Sequence, residues 1–210
     1  MIFDDRQEAG ERLADALSPL AGSDAVVLAI PRGGVVVGRV VAERLGVPLD
    51  VVIPRKVGAP GNPELGLGAV APGVRVLDDR LVSELRVTPE YLEREIESQE
   101  REIARREAAY RERRPPVQVE GKIAIVVDDG VATGGTAVAA CRWARRAGAA
   151  RVILAVPVAP RQARPMLERE ADQLVVLATP DPFFAVGQWY RDFDQVSDKE
   201  VVGLLQSGSP

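Results

Sequence analysis

Five short apolar runs limit what this chain can fold into: "AVVLAI" (25–30), "PLDVVI" (48–53), "KIAIVV" (122–127), "RVILAVPV" (151–158) and "DQLVVLA" (172–178). A continuous run of this kind is the pattern of a strand buried on both faces, as in a parallel sheet covered by helices. Helical spacing lies between several of them. Val37, Val40, Val41 and Leu45 follow the "PRGG" turn and close at Gly46, residues 135–147 close at Gly148, and a short helix is expected about Pro165–Glu170. A first helix over 5–17 carries Ala9, Leu13, Ala16 and Leu17 and ends at Ser18-Pro19. Strands alternating with helices predict an α/β fold with a doubly wound parallel sheet. The 210 residues suit one domain, 1–210, with no repeat and no linker to split it. The tail Ser207–Pro210 is expected to be disordered.

Two stretches interrupt that rhythm. Residues 54–73, "PRKVGAPGNPELGLGAVAPG", hold glycine and proline throughout and show no periodicity, so a long mobile loop is expected there. Thr88-Pro89-Glu90 is a strong helix start, with a capping hydroxyl and proline at the first helical position. The long helix over 88–114 should stop at Pro115-Pro116. Its Glu97–Arg101, Glu102–Arg106 and Glu107–Arg111 spacings favour i,i+4 pairs. Leu92, Ile96, Ile103 and Tyr110 make a thin apolar stripe. The balanced charge reads as a solvated helix, and the stripe could also pack on a partner subunit in a homo-oligomer.

Composition removes whole classes of chemistry. Cys141 is the only cysteine and there is no histidine, so an internal disulfide, a zinc cluster and His-assisted nucleophilic catalysis are all excluded. Any metal would be a hard cation held by oxygen, magnesium being the natural choice. A net charge of −4 argues against a general nucleic-acid binder. No apolar run approaches the roughly 20 residues that span a bilayer, and the first residues lack a signal-peptide pattern. A cytoplasmic protein without membrane association is expected.

"VVDDGVATGGT" (126–136) carries the chemistry. Asp128 and Asp129 stand at a strand end and repel each other unless donors or a cation compensate them. Vicinal sugar hydroxyls are donors of matching geometry. Gly130, Gly134 and Gly135 let the chain curl, Thr133 and Thr136 add hydroxyls, and the following helix presents its positive end, which together suit a phosphate monoester. A nucleotide P-loop would need a lysine before Thr136, and no G-x-G-x-x-G fingerprint is present.

Four apolar residues, two acidic ones, two variable positions and "ATGGT" resemble the signature of the type I phosphoribosyltransferases, which use 5-phosphoribosyl 1-pyrophosphate (PRPP). The order of the other parts extends the resemblance over most of the chain. It implies that Asp128 and Asp129 hold the ribose and act on magnesium indirectly, through ribose hydroxyls or water. It implies a 5-phosphate held by Gly130, Val131, Ala132, Thr133, Gly134, Gly135 and Thr136. The family's pyrophosphate turn, often with a cis peptide, corresponds to Arg32, Gly33 and Gly34. Its closing loop corresponds to 55–69, with Arg55 and Lys56 at the root as catalytic cations. Enzymes of this family acting on 6-oxopurines carry an aspartate where this chain has Ala132, a feature it shares with adenine- and uracil-type members. Glu64 therefore stands as a candidate for handling a base proton, or as a solvated loop charge.

A hood is implied over 179–205. There Phe183, Phe184, Trp189 and Tyr190 could stack on a flat base, with backbone near Val186 reading its edge, or the cluster could simply close the C-terminus onto the sheet. The activity implied is magnesium-dependent transfer of a phosphoribosyl group to a planar base, by a glycosyltransferase of nucleotide metabolism. A non-catalytic regulator sensing PRPP or a nucleotide is the alternative on the same fold. A phosphatase ranks below both, since its aspartates would be spaced as D-x-D.

Overall fold

A computed structural model describes residues 2–112 and 114–206; Arg113 and the Ser207–Pro210 tail lie outside the described residues. Five strands form a wholly parallel sheet in the order β2-β1-β6-β7-β8. They are β1 (Ala25–Ala29), β2 (Leu49–Val51), β6 (Ile123–Val127), β7 (Arg151–Val158) and β8 (Gln173–Ala178). Each predicted apolar run supplies one of them. Alternate residues serve two cores. Val27, Ala29, Ile125, Val127, Ile153 and Ala155 pack with α1 (Arg6–Ala16) and α2 (Gly33–Leu45). Val26, Leu28, Ala124, Val126, Val152 and Leu154 pack with α5 (Gly135–Arg146) and Leu167 of α6 (Arg164–Glu170).

The chain winds outward from β1 to β2, then returns to lay β6 on the opposite side of β1. That reversal is the switch point at which doubly wound sheets bind ligands, beyond the carboxyl ends of the strands. Ile30 N–H donates to Val127 O at 2.8 Å, so the turns leaving β1 and β6 start side by side.

Residues 54–73 correct the expectation of an irregular loop. With the residues that follow, they form a three-stranded antiparallel sheet: β3 (Arg55–Ala59), β4 (Asn62–Ala71) and β5 (Val74–Leu77). Ala59 pairs with Asn62 across a two-residue Pro60-Gly61 turn. The glycines that hide the alternation permit close packing: a Cβ on Gly68 would overlap the carbonyl oxygen of Val76. Leu67, Ala69, Val70 and Ala71 are fully buried, whereas Asn62–Leu65 at the outer end of β4 are exposed. Hydrogen exchange should separate these halves, with slow amides at Leu67–Ala71 and much faster ones at Asn62, Glu64 and Leu65, because unpacked segments open at little free-energy cost. Uniform protection along β4 would show that the outer half is packed after all.

Helix α4 (Pro89–Arg111) starts as expected, with Thr88 Oγ1 accepting from Tyr91 N–H at 3.3 Å. The three predicted pairs form at 3.8, 2.7 and 3.0 Å. Its stripe is used within the chain: Ile96, Ile103 and Tyr110 are buried in the same core as Val57, Leu67 and Val201. Near its end Arg111 pairs with the buried Asp50 at 3.3 Å, and Asp50 also accepts from Val51 and Val117 N–H, so this carboxylate is satisfied. Two further helices were not expected, α3 (Asp79–Glu84) and α7 (Asp198–Gln206), the second started by a capping box in which Ser197 and Glu200 accept from each other's N–H.

Candidate functional site

The two aspartates stand at the carboxyl end of β6, against the turn that leaves β1. In that turn the Pro31–Arg32 peptide is cis. A Cβ on Gly33 would overlap Asp129 Oδ2, and one on Gly34 would lie 2.9 Å from Asp128 Cα and 3.0 Å from Val127 O. The residue order "PRGG" is therefore a packing requirement, since only glycine lets the turn meet the carboxylates. Asp128 Oδ1 accepts from Asp129 N–H at 2.9 Å. Burial pushes the Asp128 carboxyl well above the ordinary carboxylate range, and the neighbouring Asp129 adds to the shift.

The cation that compensates this pair comes from the protein itself. Arg6, at the first position of α1, places Nε 2.7 Å from Asp129 Oδ2, with side chains only 11% and 14% exposed. Sequence reasoning missed Arg6. It lies 123 residues from its partner in an unremarkable amphipathic helix, and only the Asp5 cap, accepting from Glu8 N–H at 2.8 Å, fixes where that helix begins.

The turn after Asp129 is anchored by Val131 N–H donating to Val158 O at 2.9 Å. Gly134 takes φ +90°, a left-handed conformation that glycine adopts without penalty, and α5 begins at the next residue. Neither α2 nor α5 has a side chain capping its first turn, whereas Asp5 and Thr88 cap α1 and α4. Two helices thus point unclaimed N–H groups and positive ends past the switch point, the arrangement that receives anions. Thr133, Gly135 and Thr136 open onto a cavity of about 580 Å³. Lys56, Gly66 and Gly68 of the three-stranded sheet close its far side, with Asp78, Arg142, Met166 and Arg169 among the other walls.

The closing-segment residues are divided. Lys56 lines that cavity, and its Nζ donates to the Glu64 carbonyl and lies 3.4 Å from the Glu64 carboxylate. Arg55 points the other way, donating to Gln99 of α4 at 2.9 Å; the structure does not bring it to the aspartates or to the turn of residues 130–136. Strand alternation is the reason, since neighbouring side chains leave opposite faces. Glu64 is 95% exposed on the outer part of β4, with Lys56 as its partner. Arg32 is half-exposed, its guanidinium 3.7 Å from Asp198 of α7.

In the hood, Phe183 and Trp189 stack on each other at 6.2 Å and join a cluster with Phe3, Val158, Val186 and Tyr190. The Trp189 indole N–H is buried with no acceptor among the described residues. Phe184 is 78% exposed. Val186 covers Gly130, where a Cβ would lie 2.5 Å from its Cγ1. The hood thus rests directly on the turn that follows Asp129. Cys141 is buried in the core, and burial lifts its thiol to about 12. No helix is long and apolar enough to cross a membrane among the described residues.

Comparison with known proteins agrees with this geometry. A protein from Mycobacterium tuberculosis named "Putative phosphoribosyl transferase" is 47% identical over 205 residues, or 97% of this chain; the same match is found in two strains. The chain spans 46% of the length of those relatives. A crystal structure of a protein from Thermus thermophilus superposes with a TM-score of 0.84 at 45% identity, covering all of both chains. The family model described as the phosphoribosyl transferase domain matches residues 4–188, from the segment just before α1 to the residue before Trp189. With β1, the paired aspartates and the uncapped α5 turn all inside that match, the chain belongs to the phosphoribosyl transferase domain family.

Proposed function

We propose that this domain binds PRPP and transfers its phosphoribosyl group to a planar nitrogenous base, releasing diphosphate. The observation that carries the reading is the convergence of two turns at one switch point. One is shaped by Gly33 and Gly34 to meet the carboxylates of the other, and each leads into a helix with no side-chain cap. Three subsites follow. The hydroxyls of Thr133 and Thr136 and the first N–H groups of α5 receive the 5-phosphate. Asp128 and Asp129 accept from the ribose hydroxyls. The Arg32–Gly34 turn and the start of α2 receive the diphosphate.

In the transfer, the bond from the sugar's anomeric carbon to the diphosphate oxygen breaks with its electron pair leaving on oxygen, a bond from the acceptor nitrogen forms, and the proton that this nitrogen loses passes to water or to the departing diphosphate. The protein's contribution is positioning and charge stabilisation. Arg32 and Lys56 supply mobile positive charge for the departing diphosphate, and neither needs to change protonation. Among the described residues no group of three or more acidic side chains forms a metal cage. A pair of carboxylates fits magnesium of the kind that arrives with a diphosphate and keeps its waters, with Asp128 and Asp129 holding it through water or ribose hydroxyls. Magnesium so held would offset charge on the diphosphate. Phe184 offers the exposed ring for the base, and Glu64 would reach it only if the outer half of β4 folds over the cavity.

The test is diphosphate release from PRPP and magnesium with a panel of purine and pyrimidine bases, alongside thermal shift. PRPP with magnesium should stabilise the protein, and release should depend on one class of base. Stabilisation by PRPP with no base-dependent release would favour a PRPP-sensing regulator, and no stabilisation would remove the reading.

A further inference from the structure

Arg6 takes no part in the subsites above, yet it touches one of them. Its Nε donates to Asp129 Oδ2 at 2.7 Å and its Nη1 to the Asp194 carbonyl at 2.8 Å, while its guanidinium carbon lies 3.9 Å from the centre of the Phe193 ring. A Cβ on Gly33 would lie 2.7 Å from that same Nε. The diphosphate turn, the sugar carboxylate and α1 therefore meet at one point. The hood grips Asp129 from its other side, where Tyr190 OH donates to the Asp129 carbonyl, and the ring of Tyr190 tilts over Phe3 at 5.4 Å. Phe3 N–H donates to Trp189 O at 2.8 Å, which ties the start of the chain to the hood.

We propose that Arg6 is a positioning residue for the sugar subsite: it holds the Asp129 carboxylate aimed at the ribose hydroxyls and transmits the seating of the hood to that carboxylate. Two adjacent acids at a strand end would otherwise turn apart; here Asp129 Oδ2 sits in the space that Gly33 leaves, with Arg6 holding it there. A guanidinium suits the task because its planar fork binds carboxylate, carbonyl and aromatic face at once, which an ammonium cannot match. The interaction is shielded from water on most sides, so it holds against salt better than a surface pair.

The inference rests on the phosphoribosyl reading, and ligands that divide the site keep the two apart. Calorimetry with ribose 5-phosphate and with inorganic phosphate is compared for wild type, Arg6→Met and Arg6→Lys, with thermal unfolding of each. Arg6→Met should weaken ribose 5-phosphate about ten- to a hundred-fold, the cost of a charge-assisted hydrogen bond. Inorganic phosphate at Thr133–Thr136 should bind as before, and Arg6→Lys should recover part of the loss. Equal ribose 5-phosphate affinity in wild type and Arg6→Met overturns the proposal. So does a parallel loss of sugar phosphate, inorganic phosphate and thermal stability in both variants, which marks a purely structural role. Failure of the wild type to bind ribose 5-phosphate or PRPP counts instead against the phosphoribosyl reading.

Discussion

Replacing Asp128 and Asp129 together by asparagine should leave a folded protein that no longer binds PRPP at measurable affinity. Each carboxylate offers charged acceptors to sugar hydroxyls, and a hydrogen bond of that kind is worth about 1.5–3 kcal/mol. Losing two of them corresponds to roughly a hundred- to ten-thousand-fold in affinity. The fold should survive because the amide introduced at position 128 still presents an oxygen to the N–H of residue 129, a bond 2.9 Å long in the wild type. Titration calorimetry of wild type against the double variant is the check, and unchanged affinity would remove the ribose assignment.

The single variant carries a second expectation, in stability. Burial and the neighbouring carboxylate raise the Asp128 pKa in the folded protein, so folding favours its protonated form. The sign follows: this group adds most stability when protonated and loses that contribution as pH rises through its folded value. Asp128→Asn should therefore unfold at higher temperature than wild type at pH 8. The gap should close as the pH falls toward the ordinary carboxylate range. At this chain length each 1 kcal/mol recovered raises Tm by roughly 2–4 °C. Asp129→Asn should lower Tm instead, since it takes from Arg6 the carboxylate it pairs with at 2.7 Å. A site that is more stable without its acid than with it is the expected signature of a group kept for binding.

How much of this was legible in the sequence depended on whether a signal is local. The parallel sheet was, because a strand buried on both faces must be apolar at every position, and Val26 through Ala29 obey that without exception. The turn between β6 and α5 was legible for a related reason: its glycines, its threonines and the helix start are contiguous within eleven consecutive letters. The sheet of residues 55–77 was not. Gly58 and Gly68 are there to let backbones approach, and glycine erases the apolar alternation that announces a strand. Arg55 and Lys56 looked equivalent as neighbouring cations, but strand geometry sends one to α4 and the other to the cavity. Arg6 shows the limit most plainly. Whether an arginine meets an aspartate 123 residues away is decided by how α1 docks beside α2, and nothing near Arg6 announces it.

Gly33→Ala and Gly34→Ala, one methyl group each in adjacent positions, should fail in different ways. At Gly33 the new Cβ meets side chains, Asp129 at Oδ2 and Cγ and Arg6 at Nε, and both can rotate aside. The fold should therefore hold its melting temperature within a few degrees, while the sugar subsite loses its aimed carboxylate. Ribose 5-phosphate affinity should drop about ten- to a hundred-fold, by the same reasoning as for a lost charged hydrogen bond. At Gly34 the Cβ meets main chain, Asp128 Cα at 2.9 Å and Val127 O at 3.0 Å, and main chain at the end of β6 cannot rotate away. The β1 and β6 turns must separate, at about 1–3 kcal/mol for overpacking, and Tm should fall by roughly 2–4 °C for each of those. Thermal unfolding and sugar-phosphate titration of the two variants are read side by side. Gly33→Ala binding like wild type would mean that Asp129 need not face the turn to hold a sugar, and the convergence of the two turns would then be packing without function.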